Sequence, residues 1–168
     1  MTWDRLEDNG VLSYYQQGGV GYWQPEGIPQ PKQVICAFSS RQGGISEGPF
    51  DSLNLGLHVG DKPSHVLMNR QMFANVLGID LRHWVAAKQV HGGNVVVVGQ
   101  DHRGLGAHSE ETALDDVDGL VTSDVGVWLS CYYADCVPLV FWDRLGQAVG
   151  IAHAGWRGSV NNIAAATM

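Results

Sequence analysis

Short runs of β-branched and aromatic residues recur along this chain of 168 residues, and turns rich in glycine separate them. Such runs are typical of β-strands, because branched and aromatic side chains pack well on a pleated surface. The pattern predicts strands at residues 11–15, 34–38, 83–87, 94–98, 126–133, 138–142 and 148–153. The chain is therefore expected to be rich in β-sheet.

One clear helix is predicted between these strands, from the helical spacing of Val66, Arg70, Phe73 and Leu77. Asp61 is expected to cap its first turn, Pro63 lies in that turn, and Gly78 is expected to end it. The helix is amphipathic and is expected to pack on a sheet. A second helix is predicted to start near residues 158–159 and to run to Ala166.

Strands with helices between them favour an α/β fold with a mixed β-sheet. An α+β fold is the alternative, because the predicted strands outnumber the predicted helices. The length suits one compact domain, so a single domain is predicted over residues 1–168. The polar segment 100–116 is predicted to be an exposed loop within it.

Composition excludes several classes of protein. Hydrophobic residues make up 45% of the chain and charged residues 16%, which is typical of a folded globular domain. The net charge is −7, so we expect binding to neither nucleic acid nor an anionic membrane surface. The acidic N-terminus is unlike a signal peptide, and three cysteines without a CxxC pair favour a reducing, cytoplasmic location.

Three potential metal ligands each lie where an apolar run gives way to a turn: His91, Cys136 and His153. Glycine follows His91 and flanks the segment of His153, which leaves room for a ligand or a substrate near the backbone. Two imidazoles and one thiolate suit zinc, and three protein ligands leave a fourth position open, as in catalytic sites. Taken one at a time, the alternative is a structural role, since such residues are often buried and hydrogen-bonded without a metal.

A series of motifs closely resembles the YfiH-like laccase-domain family, whose members are described as polyphenol oxidases and as purine nucleoside phosphorylases. The motifs, in chain order, are SSRQGGIS, SLNLGLHVGD, KQVHG, DGLVT, ADCVPLVFWD and GIAHAGWRG. The resemblance implies that His91, Cys136 and His153 bind a catalytic metal, generally taken as Zn²⁺. It also implies a cysteine-hydrolase-like fold.

The resemblance further implies phosphorolysis of adenosine, inosine, guanosine or methylthioadenosine, with adenosine deamination as a second activity. Zinc lowers the pKa of a bound water to about 7 and can polarise a leaving group, which suits both nucleoside reactions. A copper-dependent polyphenol oxidase (laccase) is the alternative, since Cu²⁺ suits the same ligands. It is the weaker interpretation, because oxidation of phenols normally needs several coppers and the sequence offers one evident set of three ligands. A metal-free hydrolase with Cys136 as nucleophile and His153 as base is a further alternative.

Five more residues are candidates for the site. Asp135 is expected to orient a ligand imidazole or a water, with a turn cap as the alternative. Arg41 and Arg157 are placed to bind phosphate. Asn54 and Asp118 lie in the shared motifs and are expected to hydrogen-bond ribose or base, with structural turn roles as the alternative.

Domains of this family usually continue beyond the helix after HAGWRG, whereas this chain stops at Met168. We therefore expect a fragment, a second polypeptide that supplies the rest, or self-association that covers unpaired strand edges. All three ligands are present in the chain. An inactive truncated binding module is thus the alternative to an active enzyme.

Overall fold

The structure is a computed structural model that describes residues 4–8, 12–26, 34–143, 145 and 147–168. The chain divides into two compact units, Met1–Asp80 and Leu81–Met168. The single domain predicted over residues 1–168 stays a prediction. No helix in the described ranges has the length and apolar character that crossing a membrane requires.

The first unit contains an antiparallel sheet whose strands follow chain order. Its strands are β1 (Asp4–Asp8), β2 (Leu12–Gln17), β3 (Val20–Pro25) and β4 (Phe38–Ser39). Gly18 and Gly19 join β2 to β3 with φ values of 58° and 86°. Because L-residues with side chains rarely adopt such φ values, the two glycines permit this two-residue hairpin turn.

Helix α1 (Pro63–Leu77) packs in the same unit and confirms the predicted amphipathic helix. Phe73 is buried and meets the ring of Tyr22 on β3 edge to face, with ring centroids 6.3 Å apart. Gly78 ends the helix with φ of 69°. The predicted cap is wrong: the N-cap residue is Lys62, and the Asp61 carboxylate accepts a hydrogen bond from the Lys62 backbone N–H at 2.7 Å.

One strand prediction in this unit needs correction, and two strands were not predicted. The strand predicted at 34–38 is observed only at Phe38–Ser39, because β3 offers partners only at Tyr22 and Trp23. The sequence interpretation missed β1, whose residues are mostly charged, and β3, where Gly21 and Pro25 weaken the strand signal. Val11, the first residue of another predicted strand, lies outside the described residues.

The second unit contains a mixed sheet of order β6-β7-β10-β9 and a separate parallel pair, β5 with β8. The strands are β5 (Trp84–Ala86), β6 (Val95–Val97), β7 (Gly119–Thr122), β8 (Trp128–Ser130), β9 (Val137–Trp142) and β10 (Val149–Ala154). β6 and β7 are parallel, whereas β10 is antiparallel to both β7 and β9. This architecture confirms the predicted mixed α/β fold, although β7 was not predicted.

The second predicted helix is divided into α2 (Trp156–Val160) and α3 (Ile163–Thr167). Asn162 lies between them with φ of 57°, a left-handed conformation that interrupts the helix. Ile163 of α3 packs in a core cluster with Ala152 and Ala154 of β10. A second cluster contains Leu120 of β7, and Ile151 of β10 packs against it, so β10 contributes to both clusters.

Candidate metal centre

The second unit brings His91, Cys136 and His153 together. One potential ligand atom from each lies within 4.8 Å of the others. The rings of His91 and His153 are nearly perpendicular, with centroids 4.7 Å apart. His153 is buried, Cys136 is half-buried and His91 is exposed, so the cluster opens to solvent on one side.

Strand pairing explains why residues far apart in sequence meet here. His153 lies in β10 opposite Pro138 of β9, and Ala154 lies opposite Val137. Cys136 immediately precedes Val137, so the antiparallel register carries it to the end of β10. His91 comes from the loop between β5 and β6, at the same end of the unit.

The carboxylate of Asp118 connects two of the ligand segments. It is fully buried and accepts hydrogen bonds from the backbone N–H groups of Val90 at 3.2 Å, His91 at 3.0 Å and Gly92 at 2.7 Å. The same carboxylate lies 2.8 Å from Nδ1 of His153. Asp118 thus fixes the loop of one ligand and the ring of another.

This contact determines which nitrogen of His153 is available to a metal. Both oxygens of Asp118 already accept backbone N–H bonds, so the carboxylate acts as a hydrogen-bond acceptor toward His153 as well. Nδ1 of His153 therefore carries the hydrogen of the bond between the two side chains. Nε2 then has its lone pair free, which is the form that ligates a metal ion.

Glycine leaves the space that the cluster occupies. A Cβ at Gly155 would lie 3.0 Å from Cδ2 of His91 and 3.2 Å from Sγ of Cys136. A Cβ at Gly158 would lie 2.8 Å from the carbonyl oxygen of Gly92. All three separations are shorter than ordinary van der Waals contacts, so a side chain at Gly155 or Gly158 would force the ligand loops to shift.

The thiol of Cys136 is in a surrounding that opposes its ionisation. Burial raises its pKa, and the negative charge of Asp135, a hydrogen bond with Asp135 and the charge of Asp118 raise it further. A cation at the site would reverse this preference, since metal binding releases the thiol proton. The electrostatics are therefore those of a site that carries excess negative charge.

The donor set fits a tetrahedral metal ion. Bonds of about 2.0–2.3 Å to nitrogen and sulfur place tetrahedral zinc ligands about 3.3–3.8 Å apart. The ligand atoms here lie within 4.8 Å of one another, so side-chain rotation can close the set. His–Cys–His suits zinc and copper alike.

The other predicted site residues have different surroundings. Arg157 is exposed, and its guanidinium lies 5.3 Å from the ring centroid of Trp156. Asp135 contacts the thiol of Cys136. Asp118 is fully buried and contacts Nδ1 of the ligand imidazole of His153. The predicted roles of Asp135, Asp118 and Arg157 toward a water or a substrate stay predictions.

Arg41 and Asn54 belong to the first unit. The guanidinium of Arg41 donates to the carbonyl oxygen of Asp51. The Asn54 amide donates to Asp61 at 3.0 Å and to the Gly56 carbonyl at 3.2 Å. These bonds close the loops around them, and the predicted substrate roles of both residues stay predictions.

Sequence reasoning missed two residues that support the ligands. The hydroxyl of Tyr133 donates to the carbonyl of Ala152 at 3.1 Å, and its ring centroid lies 5.7 Å from that of His153. Gln89 bonds the backbone of Tyr132 through both amide atoms. Gln89 lies two residues before His91, and this proximity was the available signal.

The fold and the site define a mixed α/β protein with a candidate His–Cys–His metal centre. The family model described as multi-copper polyphenol oxidoreductase laccase matches residues 35–168, and the chain belongs to this family. The resemblance inferred from the motifs is thereby confirmed.

Relatives bear enzyme names. The chain is 47% identical over 132 residues to purine nucleoside phosphorylase YlmD of Bacillus subtilis (strain 168), an alignment that covers 79% of this chain and 48% of that protein. It is 38% identical over 135 residues to adenosine deaminase RL5 of an unknown prokaryotic organism, covering 80% and 52%.

A solved structure supports the fold. The crystal structure of the Bacillus licheniformis hypothetical protein YfiH aligns with a TM-score of 0.83 and 41% identity. The alignment covers 90% of this chain and 55% of that one. The chain spans about half the length of the curated relatives it matches.

Proposed function

We propose that this chain carries the zinc centre of an enzyme that phosphorolyses purine nucleosides, with adenosine deamination as a second activity. The observation that carries the proposal is the convergence of His91, Cys136 and His153 within 4.8 Å. The names of two relatives, a purine nucleoside phosphorylase and an adenosine deaminase, support this choice of substrate class. The proposed substrates are adenosine, inosine, guanosine and methylthioadenosine, together with phosphate.

The residues of the chain have separable tasks in this proposal. His91, Cys136 and His153 would hold the metal, and zinc bound there would supply Lewis acidity to a neighbouring oxygen. Asp118 holds Nδ1 of His153 in a hydrogen bond, which leaves Nε2 as the nitrogen that would bind a metal. Exposure of His91 leaves one side of the site open for a small molecule.

Copper-dependent oxidation of polyphenols is the alternative that the family description suggests. Such oxidation normally draws on several coppers. The described ranges contain one cluster of His, Cys, Asp and Glu side chains suited to a metal ion. One such centre suits Lewis-acid chemistry on a nucleoside better than multi-electron oxidation.

A metal-free hydrolase is a second candidate that one contact favours. Asp118 orients His153, and His153 neighbours the thiol of Cys136, which is the order of groups in a nucleophile–base–acid triad. The raised pKa of Cys136 argues against it, because a cysteine nucleophile is normally activated by a lowered pKa. Metal content separates the two candidates directly.

The test is an assay of adenosine, inosine and guanosine with the purified chain, with and without phosphate. The proposal expects free base and ribose 1-phosphate only when phosphate is present, and inosine from adenosine in either condition. The Cys136→Ser variant should lose both reactions. Oxygen uptake with a phenol and no release of base would favour the oxidase, and turnover that survives complete metal removal would favour the hydrolase.

A further inference from the structure

The side chain of Gln89 makes a paired contact with one residue of another segment. Its Nε2 donates to the carbonyl oxygen of Tyr132 at 2.8 Å, and the backbone N–H of Tyr132 donates to its Oε1 at 2.7 Å. A backbone partner in a β-ladder would make the same two kinds of bond. The amide of Gln89 therefore replaces a strand neighbour for Tyr132.

The contact continues a pairing that the backbone no longer makes. The parallel pairing of β5 with β8 ends where Ala86 lies opposite Ser130. Beyond that point the backbone of residues 87–88 pairs with Leu114 instead, and the side chain of Gln89 reaches across to Tyr132. His91 follows Gln89 by two residues, so this bridge lies between the last backbone pair and the first ligand.

Tyr132 is also close in sequence to the rest of the site. Its neighbour Tyr133 donates to the carbonyl of Ala152, the residue before His153. Cys136 lies four residues beyond Tyr132. The short segment 132–133 thus has hydrogen bonds to the segments that carry both histidine ligands, and it leads directly to the cysteine ligand.

We propose that Gln89 is a positioning residue that holds the His91 loop and the segment before Cys136 at the separation that metal binding requires. The proposal rests on the metal site of the proposed function. His91 is exposed and lies in a loop. Without the bridge, metal binding would have to restrict the separation of His91 from Cys136 at a cost in conformational entropy.

Two variants test the bridge. Gln89→Glu keeps the shape of the side chain and can still accept from the Tyr132 N–H, but it places a carboxylate oxygen against the Tyr132 carbonyl. Gln89→Ala removes both bonds. The matched control is Gln100→Glu, because Gln100 also donates from Nε2 to a backbone carbonyl, that of Val125, at 2.7 Å.

The first measurement needs no metal. Hydrogen exchange of the Tyr132 amide is measured in the metal-free parent, in both Gln89 variants and in the control. We expect exchange at least about ten times faster in Gln89→Ala than in the parent and unchanged exchange in Gln100→Glu. An equal rate in the parent and in Gln89→Ala overturns the proposal.

The second measurement is zinc affinity by competition with a chelator, with the absorption spectrum of bound Co²⁺ as a report on ligand geometry. We expect Gln89→Glu to bind zinc about 10–100 times more weakly than the parent, with an altered Co²⁺ spectrum. If the zinc affinity and the Co²⁺ spectrum of Gln89→Glu equal those of Gln100→Glu, the proposal is contradicted. A parent that binds no metal refutes the proposed function, and Tyr132 exchange then decides on the bridge by itself.

Discussion

Oδ1 of Asp118 lies 2.8 Å from Nδ1 of His153, and both side chains are almost completely buried. The same carboxylate holds the backbone of the His91 loop. One acidic residue therefore sets the orientation of one ligand ring and the path of the other ligand's loop. Much of the organisation of the candidate centre depends on this residue.

Replacement of Asp118 by asparagine should destabilise the metal-free protein. An asparagine of the same shape would turn an NH₂ group toward at least one donor, leaving partly buried N–H groups without an acceptor. We expect a loss of about 2–4 kcal/mol in the free energy of unfolding. Urea denaturation of the metal-free chain measures this loss.

Asp116→Asn is the control for that experiment. Asp116 is exposed, and asparagine tolerates its positive φ of 56°. We expect its free energy of unfolding to stay within about 0.5 kcal/mol of the parent value. If Asp118→Asn were as stable as this control, the four hydrogen bonds assigned to the carboxylate would not contribute as described.

The space at Gly155 should be required for metal binding. A methyl group there would press on His91 at 3.0 Å and on Cys136 at 3.2 Å, and both are proposed ligands. Gly155→Ala should therefore weaken zinc affinity by at least about tenfold, as a displaced ligand set would. Chelator competition measures the affinity.

Gly99→Ala is the matched control for Gly155→Ala. Its new Cβ would also lie 3.0 Å from its nearest neighbour, but that neighbour is the carboxylate end of Asp124, which can move aside. Zinc affinity should be unchanged in this variant. A Gly155→Ala protein with parental affinity would show that the turn does not confine the ligands.

Asp61 should titrate below the ordinary aspartate range. Burial acts to raise its pKa, but hydrogen bonds from the Ser46 hydroxyl, the Asn54 amide and the Lys62 backbone N–H outweigh it and lower the pKa. Because the folded-state pKa is depressed, the stabilisation is complete above the unfolded-state pKa and is lost as the pH falls through the folded-state pKa. NMR titration of the Asp61 carboxyl carbon measures this directly.

Ser46→Ala removes the hydroxyl donor, which lies 2.6 Å from Asp61, and should move the titration of Asp61 upward. A parental titration at or above about 3.9, the ordinary aspartate value, would contradict the assigned network.

Cys131 should be almost inert toward thiol reagents. Its pKa is raised to about 12, chiefly by burial, while a hydrogen bond with Tyr133 acts to lower it and the charge of Asp118 acts to raise it. At pH 8 only about one thiol in ten thousand would then be ionised, and the thiolate is the reactive form. A Cys36→Ser, Cys136→Ser variant leaves Cys131 as the one cysteine of the chain. Reaction with an aromatic disulfide should be slow until urea unfolds this variant, and rapid reaction in the folded protein would contradict the assignment.

The ligand set could be predicted because its signal is local. Each of His91, Cys136 and His153 lies beside glycine or at the end of an apolar run. The ends of strands are where α/β folds place their sites. The strand that contains His153 and the strand that follows Cys136 were also recognisable, since β10 and β9 are short apolar runs. The family resemblance added the expectation that the three residues act together.

The support of the ligands could not be predicted in the same way. The partners of Asp118 are backbone N–H groups of a loop whose path includes a positive φ at His91, and no residue pattern specifies that path. The bond of Gln89 to Tyr132 likewise depends on the paths that two loops take after their strands end. The break at Asn162 was missed because the alanines that follow it favour one continuous helix.

The central claim is that His91, Cys136 and His153 together hold one metal ion. Its most direct test is elemental analysis of the purified chain beside the His91→Ala, Cys136→Ala and His153→Ala variants, each checked for folding by circular dichroism. The account predicts about one zinc per parent chain and a large loss in every folded variant. A parent chain without metal, or full metal content in the Cys136→Ala variant, would contradict it.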